Sequence, residues 1–584
     1  MSNHLKIEEA ICSHPVAKFP YYHVKIKVRN DSSSDYFIDK LKINNRGTRD
    51  YLIFNAESFV YEPRVDANLV SWIIARGDWA VNDGFAVNME LISEDAKEKE
   101  TLAYNGRTPG CGGYWNKDWK YYFSVILTER DEIERKNEPV HISASVYDDR
   151  INDPVKEIRV VCVDAVSGKQ EEIPSQVNSV SEPYKEVSDD TIQHSVTFDV
   201  GFYANVSAKS GAVYLVFYGN NKADAPNYQS DMVVRGKGVG IDIENLYYSM
   251  KMHPKSGSVH EIDIKMGKNK RLEHKIETNG AIHWNPGIYS PPRAWTHASD
   301  WESPEKYYQI NGPIFTVTQR YDQLPLYPEA MVSQTYVFYS KCPYVRVNSV
   351  MDIKKDIYVQ ALRNGEVVFN HDVAKEFALR DRLGEVKSFK ITDLPRFEEI
   401  ALRYAADTPW TAFFNSDYGL GFAIITLNLA NMRREGGLVR LEHYEQYLNW
   451  GPWIYSTRDL IFPFGSQNPQ RMTLLPKTSS FFEDMIFMPF VFKDNDDTAS
   501  KFEMVENVYN SFSNPLNIQI ECDTDHRVPA QFVLGERLEG EIEETEEKPW
   551  PISLSREFTR FRQSPTFLSE IHLKKNKEGR YYYI

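Results

Sequence analysis

Short apolar runs that alternate with polar residues recur along most of this chain, each closed by a turn-rich break. HVKIKV sets Val24, Ile26 and Val28 on one side of an extended strand, and NDSSSD and NNRG follow as breaks. The pattern predicts a β-sandwich over residues 1–135. Its end, TPGCGGYWNKDWKYYFSV, requires a loop at Gly110, Gly112 and Gly113, with Tyr114, Trp115 and Trp119 on or beside it. Between EPVHISASV and LVFYGN, Ile142, Ala144 and Val146 alternate, as do Val196, Phe198 and Val200. A second module over 136–240, of the size of an immunoglobulin-like sandwich, is expected. Within it the polar SQVNSVSEPYKEVSDDTIQ reads as a long surface loop.

Over residues 241–515 the runs lengthen, as in EIDIKM, FTVTQRY, SQTYVFYS, YVRVNSVMDI, GFAIITLNLA and FMPFVF, and one large antiparallel assembly is the economical reading. Two short helices are expected to interrupt it. One is HDVAKEFALRDR; the other is TASKFEMVENVYNSFS, where Phe502, Val505, Val508, Tyr509 and Phe512 share a helical face, with Asp497 or Thr498 as cap and Pro515 as stop. The remainder, 516–584, holds the acidic linker GERLEGEIEETEEKPWP and a basic, aromatic tail, LKKNKEGRYYYI, expected to dock back on the body.

Composition agrees with this picture. The fold class is mostly β and multidomain, since 584 residues exceed one core and aromatic residues reach 13%. A net charge of -15 disfavours a nucleic-acid or anionic-membrane partner, although a local arginine cluster can reverse the potential inside one cleft. No stretch is apolar enough to span a bilayer and the N-terminus shows no export signal, so a soluble, cytoplasmic protein is expected. Cys12, Cys111, Cys162, Cys342 and Cys522 are odd in number and widely spaced, which fits reduced thiols.

Candidate chemistry concentrates in NGAIHWNPGIYSPPRAWTHASDWESPEKYYQINGP. Here His283, Trp284, Tyr289, Arg293, Trp295, His297, Asp300, Trp301 and Glu302 lie in a stretch rich in Pro, Gly and Asn. Flat rings beside proton-exchanging groups and a carboxylate-holding arginine suit a cleft, while the alternative is a core beneath a long loop. The next stretch adds Arg320, Tyr321, Tyr327, Glu329 and Tyr336; RLEHYEQYLNWGPWIYSTRDLIF adds His443, Tyr444, Tyr447, Trp450, Trp453, Tyr455 and Arg458. Gly451 and Pro452 exclude a helix there, leaving an aromatic loop platform or a core. No HExxH, GxSxG, Walker A or EF-hand pattern occurs.

The loop from His283 to Trp301 and the stretch VQALRNGEVVFNHDVAKEF make the long antiparallel region resemble the β-supersandwich domains of polysaccharide lyases and galactose-mutarotase-like proteins, over about half the chain. The resemblance implies a lyase acting on uronic-acid oligosaccharides by β-elimination, which needs a base, a neutraliser for the developing enolate and an acid. On that reading His283 or His297 is the base, Arg293 or Arg320 the carboxylate clamp, and Tyr289, Tyr327 or Tyr336 the acid. His443 and Tyr444 form a reserve pair, and Trp284, Trp295, Trp301, Trp450 and Trp453 supply stacking surfaces. No organic cofactor is implied; a divalent cation is the alternative to arginine, with ligands unknown. A glycoside hydrolase drawing its carboxylates from Asp300, Glu302 and Glu329 is one rival, and a noncatalytic carbohydrate-binding protein the other.

Overall fold

The computed structural model describes residues 4–13, 22–48, 51–54, 64–77, 84–95, 97–107, 115–116, 118–129, 131–163, 170–180, 184–188, 191–208, 211–267, 270–273, 286–370, 374–393, 402–405, 407–433, 444–450, 453–461, 472–493, 496–522, 573–575 and 581–583. The architecture is mostly β, with many antiparallel sheets and a few short helices. No helix among the described residues is long and apolar enough to cross a membrane.

The chain divides into two units, the first comprising Met1–Tyr228 and a return segment that begins at Asn514. Its N-terminal strands form one nine-stranded sheet, whose alternating residues Val24, Ile26, Val28, Ile38, Leu41, Ile73, Val87 and Leu91 build a shared core. A sandwich follows, with a five-stranded sheet facing a four-stranded one across Phe123, Val125, Val140, Ile142, Phe198, Val200 and Val216. The Tyr121–Thr128 strand pairs with Gly211–Tyr218 on one side and with the returning Asn517–Cys522 strand on the other. Sheet pairing therefore puts Tyr121–Thr128 with the following module, ahead of the expected limit at 135, and brings residues beyond 515 into the same sandwich. Arg135 fastens the return: it is fully buried, ion-paired with Glu129 and Glu138, and donates to the Asn514 carbonyl.

Two expectations are corrected. The polar stretch read as a surface loop contains the strands Ser175–Val180 and Tyr184–Ser188, both paired with Thr191–Val206. HDVAKEFALRDR forms no helix in its described part, where Glu376–Arg380 is a strand flanked on both sides in its sheet. Two backbone ladders and the burial of Phe377 outweigh helix propensity there. The later helix occurs as Thr498–Lys501 and Glu503–Ser513, capped by Asp497, which accepts from Ser500 N–H at 2.8 Å. That hydrogen bond lowers the Asp497 carboxyl from its ordinary value.

The second unit contains Gln229–Ser513. A nine-stranded sheet runs from Tyr308–Asn311 to Val386–Lys390, with Ser479–Val491 near its centre. Facing it are a five-stranded sheet and a six-stranded sheet of order Thr296–His297, Gly287–Tyr289, Ala361–Asn370, Trp453–Ile461, Tyr444–Trp450, Leu402–Tyr404. The interior has two apolar clusters, one around Phe369, Ile454, Met485 and Phe487, the other around Ile288, Leu362, Leu460 and Phe481. Between Ile454 and Leu460 along one strand, and between Phe481 and Met485 along the other, Arg458 meets Glu483 in a fully buried ion pair.

Removing one member of such a pair strands a charge in the interior. Glu483→Ala is expected to destabilise the second unit by about 3–5 kcal/mol, with the double replacement Arg458→Met/Glu483→Leu recovering most of the loss, as read by urea denaturation.

Candidate functional site

Alternation along two strands selects the side chains that leave the sandwich interior. Ile288 and Leu362 are cross-strand partners and both join the interior cluster. Their neighbours Gly287, Tyr289 and Arg363 therefore face the opposite side of the six-stranded sheet, and Gly287 also pairs with His297. Gly287 is required for space, because a Cβ there would lie 2.5 Å from His297 Cδ2.

On this outer face Trp295 lies parallel to Tyr289, with centroids 5.7 Å apart and planes at 9°, and to His297, at 5.6 Å and 21°. The Arg363 guanidinium sits 5.1 Å from the indole centroid and is ion-paired with Glu366, which is fully buried. Tyr289 and Trp295 remain half-buried, whereas His297 is buried, its backbone N–H donating to the Asp300 carboxylate at 2.9 Å. The group thus combines two partly accessible rings, an imidazole and a guanidinium.

The connecting loop is fixed by Tyr327. Its hydroxyl donates to the Ala294 carbonyl at 2.7 Å and accepts the Ser290 N–H at 2.9 Å, and burial pushes its phenol above the ordinary value. Arg293 covers the Tyr327 ring at 4.3 Å and donates to both Glu329 oxygens, at 3.0 and 3.1 Å. Tyr327 and Arg293 thus act as fasteners of the loop.

Arg320 is buried, donating to Asp322 at 2.8 Å and to the Lys255 carbonyl at 2.7 Å, with its guanidinium 4.4 Å from the Trp301 ring. Burial lowers the Arg320 pKa, and Asp322 opposes that shift. Trp301 itself belongs to the interior cluster and donates from Nε1 to the Gln323 carbonyl at 2.7 Å. Tyr336 lies in the other interior cluster beside Phe338. None of these three is placed on the outer face with Tyr289, because the alternation of their strands, or the loop's anchoring, turns them inward.

A scan against protein-family models finds no match, and neither does a search of curated proteins. Among solved structures, the chain is similar at 10% identity to a protein in glycosyl hydrolase family 38 from Enterococcus faecalis, with 71% of this chain and 49% of that one covered and a TM-score of 0.43. It is similar, also at 10%, to an α-mannosidase from Enterococcus faecalis V583, covering 70% and 46%, with a TM-score of 0.43. A galactose mutarotase related enzyme from Lactobacillus acidophilus is 10% identical over 44% of this chain and 99% of that one, with a TM-score of 0.28. The chain spans about half the length of the two Enterococcus proteins.

His283, Trp284 and His443 lie outside the described residues. Tyr444 and Trp450 occupy one strand and Trp453 the next, with Tyr444 opposite Arg458 and Trp450 opposite Trp453, so this expected platform is an antiparallel pair of strands. Arg363 and Glu366 were missed from sequence; their signal was an oppositely charged pair three residues apart inside the strand-like LRNGEVVF. Among the described residues no group of three or more His, Cys, Asp or Glu side chains could hold a metal ion. The hydrolase carboxylates are also engaged: Glu329 with Arg293, Asp300 with His297 N–H, and Glu302 with Lys255 at 2.8 Å.

The closeness of Gly287 to His297 gives a direct test of the stack. Gly287→Ala is expected to displace the imidazole, alter the near-ultraviolet circular dichroism of Trp295 and cost about 1–3 kcal/mol in urea denaturation.

Proposed function

We propose that this chain is a carbohydrate-active protein whose sugar site is the outer face of the six-stranded sheet around Tyr289, Trp295 and His297. The observation that carries the reading is the assembly there of half-buried stacked rings, a histidine and the Arg363–Glu366 pair. Aromatic rings offer an apolar surface to the C–H face of a sugar, and guanidinium N–H groups suit its hydroxyls. A buried ion pair is weak evidence for stability, because apolar residues of similar volume often do as well, so its presence beside accessible rings favours a functional role.

His297 is the proton-transfer group of this site, Tyr289 the stacking ring, and Arg363 the donor held in place by Glu366. β-Elimination needs a base, an acid and a cation free to neutralise the enolate; His297 and Tyr289 are of the first two types, whereas Arg363 is already paired with Glu366. Hydrolysis needs two flanking carboxylates; of the candidates, Asp300 accepts from the His297 N–H on this face, while Glu329 is held by Arg293 and Glu302 by Lys255. A cytoplasmic site of action would fit oligosaccharides rather than intact polymers.

Purified protein incubated with a panel of neutral and uronic-acid oligosaccharides is expected to show saturable quenching of tryptophan emission, weakened about tenfold or more by Tyr289→Ala. Rising absorbance of an unsaturated uronate would identify elimination, and new reducing ends without it would identify hydrolysis. Either turnover is expected to vanish in His297→Gln. Failure of every sugar to bind a correctly folded sample would remove the proposal.

A further inference from the structure

Among the described residues, the cations of this face and its connecting loop share a feature that bears on which sugar it takes. Arg363 is paired with the fully buried Glu366. On the connecting loop, Arg293 holds Glu329 through two hydrogen bonds at 3.0 and 3.1 Å. Both side chains therefore already have a carboxylate as partner.

A uronic acid brings a full negative charge that must shed water on binding, and its compensation requires a cation whose field is not already cancelled. A guanidinium beside a seated carboxylate presents a dipole, which attracts a second anion far less than a lone charge does. The chain's net charge of -15 adds long-range repulsion of an anionic ligand. A neutral sugar has neither difficulty, because its hydroxyls need donors and acceptors and its ring needs an apolar surface.

We infer that the ligand of the Tyr289–Trp295–His297 face is a neutral sugar, and that Glu366 sets this preference by neutralising Arg363. The inference rests on the reading of this face as a sugar site and revises the acidic substrate expected from sequence. Glu366 is then a positioning and specificity residue, acting through Arg363 rather than by touching the ligand.

The test is a titration of tryptophan emission in the full chain with neutral and uronic-acid oligosaccharides of equal length, at low and high salt. Neutral sugars are expected to bind with salt-independent affinity and uronates about tenfold or more weaker. Glu366→Gln, which removes the compensating charge from Arg363, is expected to shift the preference toward uronates by about tenfold. Glu329→Gln at the half-buried Arg293 provides the same comparison, with a smaller shift, should the first variant not fold. Uronate binding as tight as neutral-sugar binding in the unaltered protein would overturn the inference while leaving the sugar site standing. An unchanged preference in the folded variants would overturn the role of Glu366. Binding of neither class would overturn the sugar site and the inference together.

Discussion

The second unit is organised around the meeting of Arg458 and Glu483 between its six-stranded and nine-stranded sheets. On the nine-stranded sheet, Arg320, Gln334, Ser349 and Glu483 are successive cross-strand partners, so a polar row crosses an otherwise apolar surface. Arg458 comes from the opposite sheet to the end of that row. A slip of one residue in either strand would turn one charge outward and leave the other buried alone, a cost of several kcal/mol. The pair therefore fixes how the strands are phased as well as dividing the interior into its two apolar clusters.

The outer face inherits its composition from that phasing. Inward Arg458 pairs with Gly365, and inward Ser456 with Val367, in step with a regular ladder. Register shifts on either side of Arg363 then change the phase of the Ala361–Asn370 strand. Strict alternation from Val367 would have sent Arg363 into the interior; the irregularity sends Leu362 there instead and brings Arg363 over Trp295. The small residue at 287 completes the arrangement by letting the His297 ring lie against the strand. A charged, partly accessible face is thus the other side of a requirement set in the core.

In the first unit the closing constraint is long-range. The strand Asn517–Cys522 fills the edge beside Tyr121–Thr128, and Ile518 and Ile520 pack against the sandwich core. Arg135, with Glu129 and Glu138 around it, secures the carbonyl at the start of that strand. Two residues almost four hundred positions apart along the chain are thereby joined in one sandwich, and no local pattern could announce it.

Local periodicity determined what depends on local periodicity. Alternation at Val24–Val28, Ile142–Val146 and Val196–Val200 gave the strands, the spacing of Val505 and Phe512 with the Asp497 cap gave the helix, and the absence of long apolar runs agrees with the lack of a membrane-crossing helix among the described residues. The loop rich in aromatic and charged residues was also legible as the place where Tyr289, Trp295 and His297 gather. Tertiary structure alone decided that Tyr327, Trp301 and Tyr336 turn inward, that Arg293 and Arg320 already have carboxylate partners, and that Arg363 and Glu366 join the rings. The physical reason is that composition names the groups present, whereas facing depends on strand phase, and phase is set by bulges and by partners such as Glu483 that are distant in sequence.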